Sequence, residues 1–234
     1  MSKSELESLV TKEALTQLIH DELAGLQLST NEYIQIANSI LDAALEKKQV
    51  NGFAAGDYGV KPVKKLPVSS DDITIRPFDP GEDIKLLRRW TADRAGKEFL
   101  LSRLENSAAS VDDLAADKDT IFGIVCTKDG TPFGIVGYLN RDREQRKAEM
   151  RKLIGDPALR GKGYGKKATK LWLSYGIHGL QLRKIYLYTF DTNLRNIRIN
   201  EELGFKLEGI YRAENIIEGI PKDVIRMGLL LGDR

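Results

Sequence analysis

Between residues 148 and 178 this chain places a strand, a glycine-rich basic turn and a helix in succession. Residues 148–154 read as a strand, Gly155-Asp156-Pro157 ends it, and Arg160-Gly161-Lys162-Gly163-Tyr164-Gly165 turns into a helix over 166–178. Such a strand, glycine-rich turn and helix leaves the first N–H groups of the helix without intrahelical partners. It aims them, with the positive end of the helix dipole, at one point. The glycines let the backbone approach an anion closely. Arg160, Lys162 and Lys166 add full positive charges there. The arrangement predicts a site for a ligand rich in phosphate; the alternative is an ordinary tight surface turn.

Composition narrows the rest. With 41% apolar and 30% charged residues among 234, the chain has material for a real core, as one large domain or one medium domain with an appendage. A net charge of +2 gives no electrostatic reason for nucleic acid or membrane as a partner, and neither is expected. A lone cysteine, Cys126, excludes an intramolecular disulfide and fits a reducing compartment. It stands in an apolar run over 120–126, which predicts a buried structural thiol. The two histidines, His20 and His178, have no neighbours that suggest a metal site, and no metal is expected. No run reaches the roughly 18 apolar residues that span a bilayer. The start is acidic without an apolar signal region. The expected location is cytoplasmic.

The pattern changes near residue 70. Residues 1–70 hold seven lysines, nine acids and no arginine, a net of −2; the remainder holds 29 basic against 25 acidic residues, a net of +4. Apolar residues recur at helical spacing over 4–25. Ser29-Thr30-Asn31-Glu32 reads as the capping box of a second helix, and 50–71 as a linker. Two such helices do not bury their own apolar faces, so they dock on the main body or pair with a second copy, giving a homodimer. From Ile73 the expected order is a strand ended by Asp79-Pro80-Gly81, helix from Ile84 to Leu104 in one piece or two, and a helical turn or two at 111–116. Strands over 120–126 and 133–139 follow, joined at Asp129-Gly130, a hairpin signal. Next come a charged loop at 141–147, the strand and helix around the glycine turn, a strand over 184–190, and a short helix over 194–203 stopped by Gly204. Strands over 205–212 and 223–230 close the chain.

This order, together with two separated motifs, resembles the GNAT superfamily of acetyl-CoA-dependent N-acetyltransferases over about 160 residues. The first motif is Arg160-Gly-Lys-Gly163-Tyr-Gly165. The second is Asn193, just after the strand that follows the helix, with Leu203-Gly204-Phe205 further on. Glu208-Gly209, Arg212 and Asp223 look like the branch of ribosomal-protein and spermidine-type acetyltransferases. The resemblance implies an α/β fold with a mixed, mostly antiparallel central sheet flanked by helices. Residues 71–234 would form it, and 1–70 a helical extension and linker.

The resemblance also implies roles. Acetyl-CoA is the expected cosubstrate, its diphosphate held by Arg160, Gly161, Lys162, Gly163, Tyr164, Gly165 and Lys166. Its pantetheine arm would lie along the strand ending at Leu153 and Ile154, whose N–H groups could polarise the thioester carbonyl, with Asn193 bonding the arm. Asn193 also suits a helix N-cap. Direct attack by a primary amine requires a base, since an alkylamine has a pKa near ~10. Glu149 is the candidate base; the alternative is a solvated strand-edge acid paired with a neighbouring cation.

One position departs from the pattern. Many members carry a tyrosine where this chain has Asn200, and that tyrosine protonates the departing thiolate. Asparagine is no acid, although its amide can donate a hydrogen bond. Tyr188 and Tyr211 are possible substitutes. The expected activity is acetyl transfer to a primary amine such as a protein N-terminus or polyamine. The charged loop keeps a nucleotide-linked amino sugar as an alternative acceptor, and Asn200 keeps a non-catalytic acetyl-CoA sensor as an alternative of another class.

Overall fold

The computed structural model describes residues 58–70, 72–92, 111–217 and 219–231, together with Leu26, Glu32 and Ile36. The chain divides into two units, Met1–Gln49 and Val50–Arg234. The helices expected over 4–25 and from Ser29, and pairing of two copies through them, lie outside the described residues, save that Glu32 and Ile36 are helical. The account below concerns the second unit. Among the described residues no helix is long and apolar enough to cross a membrane.

Eight strands make one sheet: β1 Val68–Ser69, β2 Ile73–Pro77, β3 Ile121–Thr127, β4 Pro132–Asp142, β5 Lys147–Ile154, β6 Lys184–Phe190, β7 Lys206–Ile217 and β8 Ile220–Leu230. Across the sheet they run β1-β2-β3-β4-β5-β6-β8-β7. All neighbours are antiparallel except β5 and β6. The sheet is therefore mixed and mostly antiparallel, as expected. A parallel step needs a long crossover, which α3, Tyr164–Ser174, supplies. The other helices are α1 Pro80–Thr91, α2 Val111–Ala116 and α4 Leu194–Glu202.

Helices cover both faces of the middle of the sheet, which explains why β3 and β4 read as apolar runs rather than alternating ones. Phe122 to Cys126 and Phe133 to Leu139 are buried without a break. On one face α3 lays down Ala168, Leu171 and Trp172 among Ile75, Val125, Met150 and Ile185. Tyr138 stacks on Trp172 at 5.1 Å, and its hydroxyl donates to the Trp172 carbonyl at 2.9 Å. On the opposite face Leu87 and Trp90 of α1 pack on Phe122, Ile124, Ile135 and Leu153.

β4, β7 and β8 run longer than expected, to Asp142, to Ile217 and from Ile220, and residues 93–104 of the helix expected from Ile84 lie outside the described residues. Local chemistry accounts for two other differences. Asp79-Pro80-Gly81 starts α1 rather than merely ending β2: Asp79 Oδ1 accepts from Gly81 N at 2.8 Å, and Pro80 takes the first turn, where its missing N–H costs nothing. The segment read as linker joins the body from Tyr58 onward. Tyr58 and Val63 are buried in the main core, Val63 N donates to Ser174 Oγ at 3.0 Å, and Val68 pairs with Ile75.

Candidate active site

β5 and β6 are paired at three positions only, Lys147↔Lys184, Ala148↔Ile185 and Glu149↔Tyr186. Beyond them residues 150–154 stay with β4 and residues 187–190 stay with β8. The two strands part like a fork, and the backbone groups along its inner edges have no ladder between them. The fork opens into a cleft of about 330 Å³. Met150, Lys152 and Ile154 form one wall, Leu187 and Thr189 the other, Ala168 and Ile199 close the back, and Gly161, Gly163 and Gly165 stand at the mouth.

The glycine turn stands at this mouth. Gly163 is the N-cap of α3 with φ 87°, a left-handed conformation that a side chain resists, and no side chain caps this helix end. The first N–H groups of α3 are thus left for a ligand. The predicted cations divide their duties. Arg160 braces the end of β5, its Nε donating to the Ile154 carbonyl at 2.8 Å and a terminal nitrogen to the Gly155 carbonyl at 3.2 Å. Lys166 ties α3 to α4 through Glu202 at 2.6 Å. Both still line the cleft, whereas Lys162 is exposed and Tyr164 turns its ring onto Phe133 at 5.2 Å. Arg195, which sequence reasoning missed, lines the cleft and donates to the Gly161 carbonyl at 3.2 Å.

Asn193 caps a helix and stands at the cleft. Its side chain accepts from Asn196 N at 3.3 Å as the N-cap of α4, and it lines the cleft. Leu153 and Ile154 line the cleft too, with side chains in the cores on opposite faces of the sheet.

Glu149 stands at the point of the fork. It is neither solvated nor on an edge strand: its side chain is wholly buried, Arg151 Nε donates to Oε1 at 2.5 Å and Asn140 Nδ2 to Oε2 at 2.9 Å. On the same face of β6, Tyr186 and Tyr188 meet edge to face, and Tyr188 meets Tyr211 likewise. Arg226 lies over the Tyr186 ring at 4.5 Å and is bound to Glu208 at 3.0 Å. Burial pushes the Tyr188 phenol up to about 12, against the pull of Arg226, so it stays protonated at neutral pH.

Asn200 is also fully buried. Its Oδ1 accepts from Lys152 Nζ at 2.9 Å, while its Nδ2 has no hydrogen-bond partner. Burial pushes the Lys152 ammonium down to about 7. Cys126 is buried in β3, away from the cleft, and burial pushes its thiol up, as suits a structural residue. His178 lies in the wide turn Tyr175–Gly179 that follows α3. Among the described residues no group of three potential metal ligands occurs.

A fork in a parallel strand pair, with an anion-receptive helix end at its mouth, is a frame for a thioester on a long phosphorylated arm. Residues 72–206 match the acetyltransferase (GNAT) domain family. The chain belongs to that family. It is 36% identical over 165 residues to spermidine N(1)-acetyltransferase of Escherichia coli, covering 68% of this chain and 86% of that one. Among solved structures it is similar to dodecameric spermidine N-acetyltransferase from Vibrio cholerae, with 27% identity, a TM-score of 0.59, and 69% and 95% of the two chains covered. The same Vibrio enzyme in complex with CoA and spermine gives 25% identity, a TM-score of 0.58, and 69% and 96% covered. This acetyltransferase uses acetyl-CoA as its cosubstrate and transfers the acetyl group to an amine, so the non-catalytic reading falls away.

Proposed function

We propose that the acceptor is a primary amine of a polyamine such as spermidine or spermine. The observation that carries this reading is the likeness to a spermidine N(1)-acetyltransferase over 86% of that enzyme's length. The chemistry beyond the fork agrees: Tyr186, Tyr188 and Tyr211 offer ring faces, and Glu149 and Glu208 offer carboxylates, to an alkylammonium chain. Arg151 is paired with Glu149, and Lys184 and Arg226 with Glu208, so part of that acidity is neutralised within the protein. In this reading Glu149 takes the proton of the incoming ammonium; the free amine attacks the thioester carbon, a C–N bond forms and the C–S bond breaks.

The nucleotide-linked sugar has less support. The charged loop that motivated it is a short turn that uses some of its charges internally: Lys147 meets Asp142 at 3.6 Å, Arg143 meets Asp119 at 3.9 Å, and Gln145 N donates to Asp142 Oδ1 at 2.8 Å, while Arg141 Nε is buried without a hydrogen-bond partner. Steady-state kinetics with spermidine, spermine, peptide N-termini and a nucleotide-linked amino sugar test the assignment. The polyamines are expected to give kcat/KM at least about 100-fold above the rest, roughly 2.7 kcal/mol of transition-state preference; a faster sugar or peptide acceptor overturns it. Glu149→Gln is expected to lower kcat by about 100-fold with acetyl-CoA affinity retained. An unchanged kcat and pH–rate profile removes Glu149 as the base.

A further inference from the structure

Breaking a thioester releases a thiolate, which must be stabilised or protonated as the C–S bond opens. Among the cations lining the cleft, Lys152 has an ammonium held by a neutral amide rather than by a carboxylate or a main-chain carbonyl: it donates to Asn200 Oδ1 of α4. Its place follows from strand alternation: Met150, Lys152 and Ile154 face α3 and α4, whereas Glu149, Arg151 and Leu153 face the other way. Base and cation therefore lie on opposite faces of the sheet at the same fork. An ammonium has three donors, of which Asn200 Oδ1 takes one. Asn200 brings a further donor, Nδ2, buried and without a partner. Such a concentration of donors over an apolar wall lacks an acceptor, and a buried donor left without one is costly.

We propose that Lys152 is the proton donor to the CoA thiolate and that Asn200 is the residue that positions it. The amine attacks the carbonyl carbon, the C–S electron pair leaves on sulfur, and a proton passes from the Lys152 ammonium to that sulfur, giving CoA as the thiol. The neutral lysine then regains a proton from solvent, or from the proton shed by the acceptor amine. The step rests on acetyl-CoA occupying the fork and is indifferent to which amine attacks.

The surroundings suit this exchange. β3, β4 and α3 bring Val125, Val136 and Ala168 to the wall, all apolar, and β6 brings Leu187 and Thr189. The charged groups that border the cleft are Arg160 and Lys166, which are engaged with the Ile154 carbonyl and Glu202, Arg195 on the Gly161 carbonyl, and Arg151 on the opposite face with Glu149. Tyr188 is the titratable side chain that β6 adds. Among the described residues no carboxylate stands against Lys152 to hold its proton, and burial eases the proton's release.

The test begins with calorimetric binding of CoA to the full chain, followed by titration of the bound CoA thiol by its ultraviolet thiolate absorbance. In the wild type the bound thiol is expected to ionise at least one pH unit below its usual value of about 8.5, and in Lys152→Met to return to that value or above. With acetyl-CoA and a saturating amine, Lys152→Met is expected to lose about 10- to 100-fold in kcat with a change of less than about threefold in KM for acetyl-CoA, and to lose the basic limb of its kcat–pH profile. Asn200→Leu is expected to shift the thiol titration in the same direction as Lys152→Met. Thermal unfolding of both variants, compared with the wild type, separates loss of the fold from loss of the proton donor. Should CoA bind equally to wild type and Lys152→Met with the same thiol titration in both, the proposal fails while the cofactor site stands. Should the wild type bind no CoA, the cofactor site itself fails. Acetylation of Lys152 at the rate of turnover, seen by mass spectrometry, overturns the proposal in another way, by making the lysine a nucleophile.

Discussion

Replacing Gly163 by glutamate tests the anion site most directly, because two separable costs fall on one exposed position. The first is conformational. Gly163 has φ 87°, and a side chain in the left-handed region costs about 1–2 kcal/mol. A Cβ there meets nothing within 4 Å, so no clash adds to this strain. The second is charge. A carboxylate about 5 Å from a phosphate charge is repelled by about 0.8 kcal/mol in water and about 3 kcal/mol at an effective dielectric of about 20. The turn is exposed, which favours the lower figure, and a diphosphate doubles it to about 1.7 kcal/mol. Together the costs come to about 3–4 kcal/mol, a loss of about 100- to 1000-fold in CoA affinity. Gly163→Ala carries the strain alone and is expected to lose at most about 30-fold. Calorimetric titration with CoA at low salt, and again near 1 M salt, where the screening length falls to about 3 Å, separates the two terms. The deficit of Gly163→Glu should shrink toward that of Gly163→Ala at high salt. Equal affinity of wild type and Gly163→Glu at low salt refutes the phosphate site.

Two further predictions concern stability. A Cβ at Gly155 would sit 2.2 Å from Trp90 Cγ in a buried, rigid ring, so Gly155→Ala is expected to lose about 1–3 kcal/mol and lower Tm by about 3–10 °C; an unchanged melt shows that Trp90 yields freely. Asp83 is buried, which raises its carboxyl, but hydrogen bonds from Arg76 at 2.6 and 2.7 Å and from Asp79 N at 2.9 Å outweigh this and hold it below the ordinary range. Its stabilising contribution is therefore present above the unfolded pKa and lost as pH falls through the folded one. Asp83→Asn should be less stable than wild type at pH 7, with the gap closing in acid; a gap independent of pH counts against the ion pair.

Much of the sheet was legible because its signals are local. β6 falls at the residues expected, and β3 and β4 lie within a residue or a few of theirs, since apolar runs bounded by Asp129-Gly130 leave little choice. Asp79-Pro80-Gly81 was ambiguous in sequence, because the same residues end a strand and cap a helix, and only the Asp79–Gly81 bond decides. β1 has two residues and carries no pattern of its own. At the site, the glycine turn and Asn193 were readable from spacing, whereas the partners of Arg160 and Lys166 depend on how β5 and α4 meet. Lys152 was visible only as part of a basic pair with Arg151. Alternation sends one to each face, and what each side chain finds there is set by elements about 50 residues away, at Asn200, or two residues away, at Glu149.

The fork between β5 and β6 has an energetic consequence for turnover. Each strand is already fixed on its outer side, β5 by β4 and β6 by β8. The conformational entropy of the inner edges is thus surrendered when the protein folds, not when its cosubstrate arrives. What remains at binding is an exchange of water for ligand along two rigid rails, which leaves most of the contact free energy available for affinity. Release is the mirror of this. After transfer the acetyl group departs with the amine, while an arm of CoA lying in the fork would still meet the same rails. A kcat limited by escape of CoA, detected as a burst in the first turnover, is the behaviour such a frame favours.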